Sequence, residues 1–270
     1  MFLEKNENGL VYMCSDVIPF RHIFTTRYGG VSAGHLKSLN LIGNHGDSPE
    51  NIRENFRRVA ALFGVGENDC AVTRQVHGNA VRIVTSDDRH VCLSEVPYEA
   101  DAIVTAVPGL PIFCFTADCV PVLLCEKEAG VIGAVHCGWR SSVADILKNA
   151  VDAMCSLGAK PDLIRVAIGP AIGFCCFETD EDVPDAVEVY IGKKAAAPYI
   201  RKRDDGKYLV DLRGANACRL QQLGIPEQMI DISEECTFCS HEKYWSHRFT
   251  RGKRGGQAAA IALPIKGGRG

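Results

Sequence analysis

The most constraining feature of this sequence is a long apolar stretch over residues 102–125, in which Asp118 is the only charged residue. A stretch of this length could in principle form a membrane-spanning helix. However, Pro108, Pro111 and Pro121 interrupt it, and it is rich in β-branched and aromatic residues. This pattern predicts two buried strands joined by a Pro-Gly turn, and no membrane segment.

The surrounding sequence repeats the same short apolar pattern, which is typical of strands bounded by turn residues. We predict strands over residues 71–76, 80–84, 102–106, 112–115, 121–125, 131–135, 163–168, 208–210 and 258–263. A regular strand–helix alternation is absent, as are the Gly-rich phosphate loops of common nucleotide folds. Clustered strands separated by a few helices favour an α+β fold.

Helix signals lie between the strand clusters. Ser48-Pro49 is typical of an N-cap followed by proline in the first turn. A second helix is predicted over 143–154, with Ser142 and Asp145 in capping-box spacing. Two further helices are predicted over 211–223 and 181–191. No linker or repeat divides the chain, so residues 1–270 are expected to form one domain with layered α/β/β/α architecture.

Charge and cysteine content narrow the classes of function. The net charge is −3 and the pI is near 6.2, which gives no general attraction to nucleic acid or to an anionic membrane. The chain has 13 cysteines, so they cannot all pair within one chain, and the first residues are charged where a secretory signal would be apolar. We expect a cytoplasmic protein whose thiols are mostly reduced and buried. No sequence feature predicts an oligomeric state.

Three short segments place polar residues where predicted strands end: His77 in Gln-Val-His-Gly, Cys119 in Ala-Asp-Cys, and His136 in Val-His-Cys-Gly-Trp-Arg. Two histidines and one cysteine could hold zinc with one coordination position open, as in catalytic zinc sites. Alternatively, Cys119 and His136 could form a thiolate–imidazolium pair for covalent hydrolysis. Their spacing matches no local zinc motif, so the sequence pattern itself leaves both chemistries open.

A second cysteine pattern lies near the C-terminus, where Cys236 and Cys239 have Cys-x-x-Cys spacing and are followed by His241 and His247. This order fits no common zinc finger, and a second zinc site is therefore disfavoured. The adjacent pair Cys175-Cys176 is expected to contribute to packing, because a disulfide between neighbouring residues would be strained.

Taken together, short motifs spread over residues 24–263 resemble the YfiH family, also called laccase-domain or multicopper polyphenol oxidase proteins and more recently regarded as purine nucleoside phosphorylases. The motifs are Thr25-Thr26-Arg27, Gly29-Gly30-Val31-Ser32, Ser38-Leu39-Asn40-Leu41, Gln75-Val76-His77-Gly78, Ala117-Asp118-Cys119, His136 with Gly138-Trp139-Arg140, Ile168-Gly169-Pro170, Ile172-Gly173, Asp211-Leu212 with Asn216, and Cys236-Thr237. The sequence departs from the family pattern at Cys137, Ser141, Ala171 and His247.

The resemblance implies a layered α/β/β/α fold and a metal site at His77, Cys119 and His136, with zinc as the cofactor. It implies phosphorolysis of adenosine, inosine and 5′-methylthioadenosine, with purine nucleoside and phosphate as the ligands. Adenosine deamination would be a side activity. His77, Cys119 and His136 are accordingly the predicted catalytic and metal-binding residues.

Phosphate binding requires arginine, lysine or glycine-rich backbone amides. The candidates are Arg27 beside Gly29-Gly30, Arg140 at a predicted helix start, and the basic loop from Arg248 to Arg254. Arg251 and Lys253 of this loop are expected to be solvated. The predicted substrate-binding residues are Arg27, Ser38, Asn40, Asp118, Arg140 and Arg248.

Three rival functions remain. A hydrolase that uses Cys119 and His136 could edit cell-wall precursors or cleave amides. Copper polyphenol oxidation is disfavoured, because it needs about ten His and Cys ligands in paired clusters, and the chain has 8 histidines of which two lie in the predicted site. The third alternative is a metal-binding partner protein without enzymatic activity.

Overall fold

The computed structural model describes residues 1–43 and 45–265. Its strands are β1 (Phe2–Glu7), β2 (Leu10–Ser15), β3 (His22–Thr25), β4 (Val81–Ile83), β5 (Ala102–Thr105), β6 (Ile112–Thr116), β7 (Val120–Glu126), β8 (Val131–Cys137), β9 (Arg165–Ile168), β10 (Glu178–Thr179), β11 (Ile200–Lys202), β12 (Tyr208–Val210), β13 (Ile230–Ile232) and β14 (Gln257–Ile261). Its α-helices are α1 (Pro49–Ala61), α2 (Trp139–Val143), α3 (Ile146–Ser156), α4 (Asp182–Ile191), α5 (Lys193–Ala196), α6 (Leu212–Gln222) and α7 (His247–Thr250).

Two large sheets form the centre of the fold. One is an antiparallel sheet of five strands in the order β1-β2-β3-β14-β6. The other has six strands in the order β13-β9-β7-β8-β5-β4, and only its two outermost pairs are parallel. A small sheet, β10-β12-β11, lies apart from them. The apolar stretch 102–125 therefore forms β5, β6 and most of β7.

Strand β7 shows why the sheets stack as layers. Its side chains alternate between two faces, as in any extended strand. Leu123 and Cys125 belong to the apolar cluster between the two sheets, whereas Val122 and Leu124 belong to the cluster under the helices. Because both faces are covered, the strand is a continuous apolar run and lacks the alternation of a half-exposed strand.

Helices cover the outer face of each sheet. Phe56, Val59 and Ala60 of α1 pack on the five-stranded sheet. Leu147 of α3 and Leu220 of α6 pack on the six-stranded sheet. The order of layers is therefore α/β/β/α, which confirms the predicted fold class. Within the described residues, no helix is long and apolar enough to cross a membrane.

The predicted strand over 71–76 is wrong. This segment makes only isolated bridges, such as Ala71 with Ile112 and Arg74 with Glu99. The side-chain amide of Gln75 takes the place of a strand ladder: its Oε1 accepts from the Phe115 N–H at 2.6 Å, and its Nε2 donates to the Phe115 carbonyl at 2.8 Å. The prediction also lacked β1–β3. Strand β1 is mostly exposed and carries charged residues, whereas β2 and β3 are short strands that are mostly buried.

The helix predicted over 143–154 begins earlier and is divided in two. Asp145 separates α2 from α3 with φ 66°, a left-handed conformation that ends one helix before the next begins. The expected capping box does not form. The carboxylate of Asp145 instead accepts two hydrogen bonds from Arg219 of α6, at 2.9 and 2.5 Å. The Ser48 cap of α1 is confirmed, and Asp211, predicted as the first residue of a helix, is instead the N-cap of α6.

Candidate metal centre

His77 lies after the irregular segment 71–76, in a turn that converges on one carboxylate. The backbone N–H groups of Val76, His77 and Gly78 donate to Asp101 at 3.1, 3.0 and 2.8 Å. His77 has φ 59°, the left-handed conformation that lets successive amides point the same way. The carboxylate of Asp101 thus fixes the backbone of this turn and the direction of the His77 side chain.

The same carboxylate orients His136. Asp101 directly precedes β5, and its carbonyl accepts from the His136 N–H at 2.7 Å as β5 pairs with β8. His136 Nδ1 lies 2.7 Å from Asp101 Oδ1, and both side chains are buried. This contact leaves Nε2 of His136 as its free ring nitrogen. A carboxylate behind a histidine in this way is the usual outer partner of a metal-binding imidazole.

Cys119 completes the cluster from the turn between β6 and β7. Asp118 has φ 89°, which turns the chain sharply before β7 begins. Cys119 Sγ lies 3.8 Å from His77 Nε2, and the two histidine rings meet edge to face with 4.8 Å between centroids. The candidate ligand atoms of His77, Cys119 and His136 all lie within 4.8 Å of one another.

Gly138 provides the space that the His77 ring occupies. A Cβ atom at this position would lie 2.8 Å from His77 Cδ2 and 3.6 Å from Cys119 Sγ. Because the first distance is shorter than real Cβ contacts, any larger residue at 138 would displace the imidazole. Glycine is therefore required at this position of the Gly-Trp-Arg motif, because a side chain would clash with the His77 ring.

The electrostatics of the cluster favour an ionised thiol. Burial opposes a charged thiolate, but the positive charge of His136 and hydrogen bonds from both histidines outweigh it. Together they lower the pKa of Cys119 to about 6. Burial likewise acts against a charged His136, but the Cys119 thiolate and the Asp101 carboxylate raise its pKa to about 9. The metal-free cluster thus holds a thiolate beside an imidazolium, the deprotonated sulfur that both zinc ligation and nucleophilic attack require.

The donor set fits a transition metal. Two imidazoles and one thiolate are ligands that zinc prefers, and three protein ligands leave one position for water or substrate. Within the described ranges, the cluster consists of these three residues. It is therefore a candidate metal site of the catalytic type, and the ligand set is compatible with several ions.

Two cavities meet at the cluster. The first has a volume of about 580 Å³ and is bordered by His77, Cys119 and His136. The second, of about 250 Å³, is also bordered by His77 and Cys119. Arg254 borders both cavities. Thr116 Oγ1, buried at the wall of the first cavity, has no hydrogen-bond partner among the described residues. The site therefore offers the Arg254 cation to a ligand beside the cluster.

Two of the predicted substrate-binding residues border the second cavity, namely Asp118 and Arg248. Both carboxylate oxygens of Asp118 accept hydrogen bonds: Oδ1 from Thr237 Oγ1 at 2.6 Å, and Oδ2 from the Arg248 N–H at 2.7 Å. Asp118 thus ties the turn that carries Cys119 to two later loops. The Arg248 guanidinium donates to the Glu178 carbonyl at 3.0 Å and is otherwise exposed.

Arg27 and Ser38 do not border either cavity. The Arg27 guanidinium donates to the carbonyls of Lys37 and His241 and lies 3.9 Å from the ring centre of Trp245. Ser38 Oγ donates to the Arg27 carbonyl at 2.9 Å. Both residues hold neighbouring loops together, which gives each a structural role within its own motif.

Asn40 and Arg140 also lie outside both cavities. Asn40 is buried; its amide nitrogen donates to Asp47 at 2.9 Å, and its oxygen accepts from the Gly256 N–H at 3.0 Å. It therefore links Asp47 to the chain just after Arg254. Arg140 is exposed, with its guanidinium 4.3 Å from the ring centre of Trp139.

The sequence analysis did not identify Asp101 or His45 as site residues, and it named Arg254 only as part of the candidate loop 248–254. Asp101 has one sequence signal, an acidic residue directly before a wholly apolar strand, where burial demands a partner. Arg254 lies in the basic loop 248–254, but the sequence does not show which of its cations faces inward. Arg251 and Lys253 are exposed, as expected.

We predict that Asp101→Asn weakens metal binding about 10- to 100-fold, because the neutral amide cannot orient both histidines. The readout is the zinc concentration that protects Cys119 from alkylation, followed by peptide mass spectrometry. Asp152→Asn, at an exposed position of α3 paired with Lys148, is the matched control. Equal protection in the two variants would contradict the role assigned to Asp101.

We predict that Cys119 in the chelator-treated protein is alkylated at acidic pH. The thiol should become reactive as the pH rises through about 6, because the thiolate is the nucleophile. Cys155, whose pKa burial raises, is the internal control and should react only above its ordinary range near pH 9. Parallel pH profiles for the two residues would show that the histidines do not stabilise the thiolate.

Comparison with known proteins shows the family of this chain. Residues 21–264 match the family model described as multi-copper polyphenol oxidoreductase laccase. A purine nucleoside phosphorylase of Deinococcus radiodurans is 36% identical over 263 residues, covering 97% of this chain and 96% of that protein. Adenosine deaminase RL5, from an unknown prokaryotic organism, is 34% identical over 235 residues and 83% of this chain, or 87% of that protein.

The fold agrees as well. The crystal structure of YlmD from Geobacillus stearothermophilus superimposes with a TM-score of 0.87 at 30% identity, covering 97% of this chain and 98% of that one. A structure of the hypothetical protein YfiH from Bacillus licheniformis gives 0.88 at 29% identity, covering 96% and 98%. The chain therefore belongs to the YfiH family, whose members include enzymes named for purine nucleoside chemistry.

Proposed function

We propose that this chain is a zinc-dependent purine nucleoside phosphorylase that acts on adenosine, inosine and 5′-methylthioadenosine, with adenosine deamination as a side activity. The observation that carries the proposal is the convergence of His77, Cys119 and His136 with Arg254 at the junction of two cavities. The names of the relatives support the purine nucleoside substrate class.

The first cavity suits a nucleoside. Its volume of about 580 Å³ falls in the range of small-molecule sites. Ile42, Val96 and Phe115 supply an apolar and aromatic wall against which a purine ring could pack. Burial, together with the charges of Arg254, His247 and His35, lowers the pKa of His45. A neutral imidazole at the cavity wall can exchange hydrogen bonds with the edge of the base.

The second cavity suits phosphate. Arg248 and Arg254 both border it, and a guanidinium presents paired donors that match phosphate oxygens. The Asp118 carboxylate accepts from the Arg248 backbone and so fixes where this side chain begins. Burial lowers the pKa of Arg254, although arginine stays charged at neutral pH. The two cations would hold an anion next to a nucleoside in the larger cavity.

In phosphorolysis a phosphate oxygen forms a bond to C1′ of the sugar as the bond from C1′ to the purine nitrogen breaks. The electron pair leaves with the purine, which then takes up a proton. Arg248 and Arg254 would position the attacking anion, and His45 would hydrogen-bond the departing base. Bound zinc would supply Lewis-acid charge and, for deamination, an activated water. The described residues that border the two cavities include no glutamate, so a deaminase of the usual zinc type is not supported.

Metal removal is the experiment that tests the proposal. Protein dialysed against a chelator should lose phosphate-dependent base release from adenosine, inosine and 5′-methylthioadenosine, and added zinc should restore it. Omitting phosphate from the zinc-loaded protein should stop base release in the same way. Base release that is independent of both zinc and phosphate would contradict the proposal.

A second candidate is a hydrolase that uses Cys119 as nucleophile and His136 as its acid–base partner. The lowered pKa of the Cys119 thiol favours it, because a thiolate is the reactive species. Its substrates would be cell-wall precursors or other amides. The same chelator experiment separates the two: a hydrolase would stay active without metal and lose activity when Cys119 is alkylated. Multicopper oxidation lacks support, since the three-residue cluster does not supply the several copper sites that it needs.

We predict that Arg248→Ala and Arg254→Ala each raise the KM for phosphate by about tenfold or more, the effect of losing one charge-assisted hydrogen bond. The KM for nucleoside should change less in Arg248→Ala, because this residue borders only the phosphate cavity. Arg251→Ala is the control from the same loop, since Arg251 is exposed and borders neither cavity. A phosphate KM that is unchanged in Arg248→Ala and Arg254→Ala would remove both arginines from the phosphate site.

A further inference from the structure

A second group of candidate ligands lies apart from the catalytic cluster. It contains Cys175, Cys176, Cys236 and Cys239, whose sulfur atoms all lie within 4.8 Å of one another. Cys239 Sγ is 3.7 Å from Cys175 Sγ and 3.4 Å from Cys176 Sγ. The group thus combines the Cys-x-x-Cys motif with the adjacent cysteine pair, whereas His241 stacks on Phe249 and takes no part.

We propose that these four cysteines bind a structural zinc ion, a metal site additional to the one at His77, Cys119 and His136. Tetrahedral zinc with bonds of about 2.3 Å places its sulfur ligands about 3.8 Å apart, close to the distances observed. Disulfide sulfurs are about 2.05 Å apart, so these contacts are not disulfides. Four sulfur atoms this close together have room for one metal ion between them. The ligands of an iron–sulfur cluster are spread around several metal atoms, so the spacing favours a single ion.

Two tight turns bring the sulfurs together. In the first, the N–H groups of Cys176 and Phe177 both donate to the Gly173 carbonyl at 2.9 Å. In the second, the Ser240 N–H donates to the Cys236 carbonyl at 2.9 Å, across the Cys-x-x-Cys segment. The Gly173 N–H also donates to Cys236 Sγ at 3.2 Å, so one turn supports a ligand of the other.

The surroundings suit the negative charge of a zinc tetrathiolate. Glycine suits position 173, because a Cβ atom there would lie 3.2 Å from Cys175 Sγ and 3.1 Å from Arg213 Nη2, tighter than most Cβ contacts. The buried Arg213 guanidinium therefore lies beside the cysteines, where it donates to the carbonyls of Ser233 and Glu235. This cation would offset part of the excess charge of four thiolates around a divalent ion.

The position of the group indicates a structural role. Four protein ligands close the coordination shell and leave no position for substrate. The two turns continue into contacts with Asp118: the Ile172 N–H donates to its carbonyl at 2.9 Å, and Thr237 Oγ1 donates to its carboxylate. Ile172 and Phe177 also border the smaller cavity. Zinc at this site would fasten the loops that hold the Cys119 turn in place.

Metal analysis of the full chain, purified in the presence of a reductant, tests the site without reference to activity. We expect about two zinc ions per chain, one for each cluster. The double variant Cys176→Ser with Cys239→Ser should lose about one of them and keep zinc-dependent protection of Cys119 from alkylation. The double variant Cys14→Ser with Cys155→Ser removes two partly buried thiols outside both clusters and should keep both ions.

Cobalt spectroscopy provides a test that needs no change to the four cysteines. In Cys119→Ser loaded with Co²⁺, the intact group should give the intense sulfur-to-cobalt absorption of a tetrahedral tetrathiolate. The proposal would be overturned if this spectrum is absent, if the Cys176/Cys239 variant retains as much zinc as its control, or if the reduced wild-type protein shows disulfides among the four cysteines by intact mass. Iron or copper in place of zinc in the purified protein would also contradict it.

Discussion

The carboxylate of Asp101 is the interaction on which the candidate site depends. It accepts three backbone N–H groups from the turn at His77 and contacts Nδ1 of His136, so one buried anion sets the direction of both imidazoles. Burial raises the pKa of Asp101, but hydrogen bonds and the charge of His136 outweigh it and keep that pKa below the ordinary range. The Asp101 carboxylate is therefore ionised at neutral pH. Without it, the turn at His77 would lose the common acceptor of three amides, and His136 would lose its 2.7 Å contact at Nδ1.

The stacked sheets give this interaction its fixed frame. Strands β5 and β8 pair so that Asp101 and His136 lie side by side, and the turn from β6 to β7 crosses from one sheet to the other while carrying Cys119. Asp118 then links that turn to the loops at Thr237 and Arg248. The three candidate ligands thus lie near the ends of central strands or in the turn that Asp101 holds, while Arg248 lies in a loop that Asp118 contacts.

The sequence predicted the layers and the three clustered ligands, but not how they are supported. Apolar runs such as 131–135 have a local cause, since a strand buried on both faces must be apolar along its length. Strand β1 and the irregular segment at Gln75 lack such a pattern, because an exposed edge strand and a side chain that replaces a backbone ladder follow from tertiary contacts. The position of Arg254 at the cavities and the contact between Cys175 and Cys239 likewise depend on chain segments that are distant in sequence.

Anomalous X-ray diffraction at the zinc absorption edge, on crystals of the zinc-loaded protein, tests the central claim most directly. The account predicts an anomalous peak bonded to His77 Nε2, Cys119 Sγ and His136 Nε2 at about 2.0–2.3 Å, with Asp101 on Nδ1 of His136 and one coordination position open to the cavities. Crystals whose zinc content is confirmed but which show no peak at these three residues would contradict it.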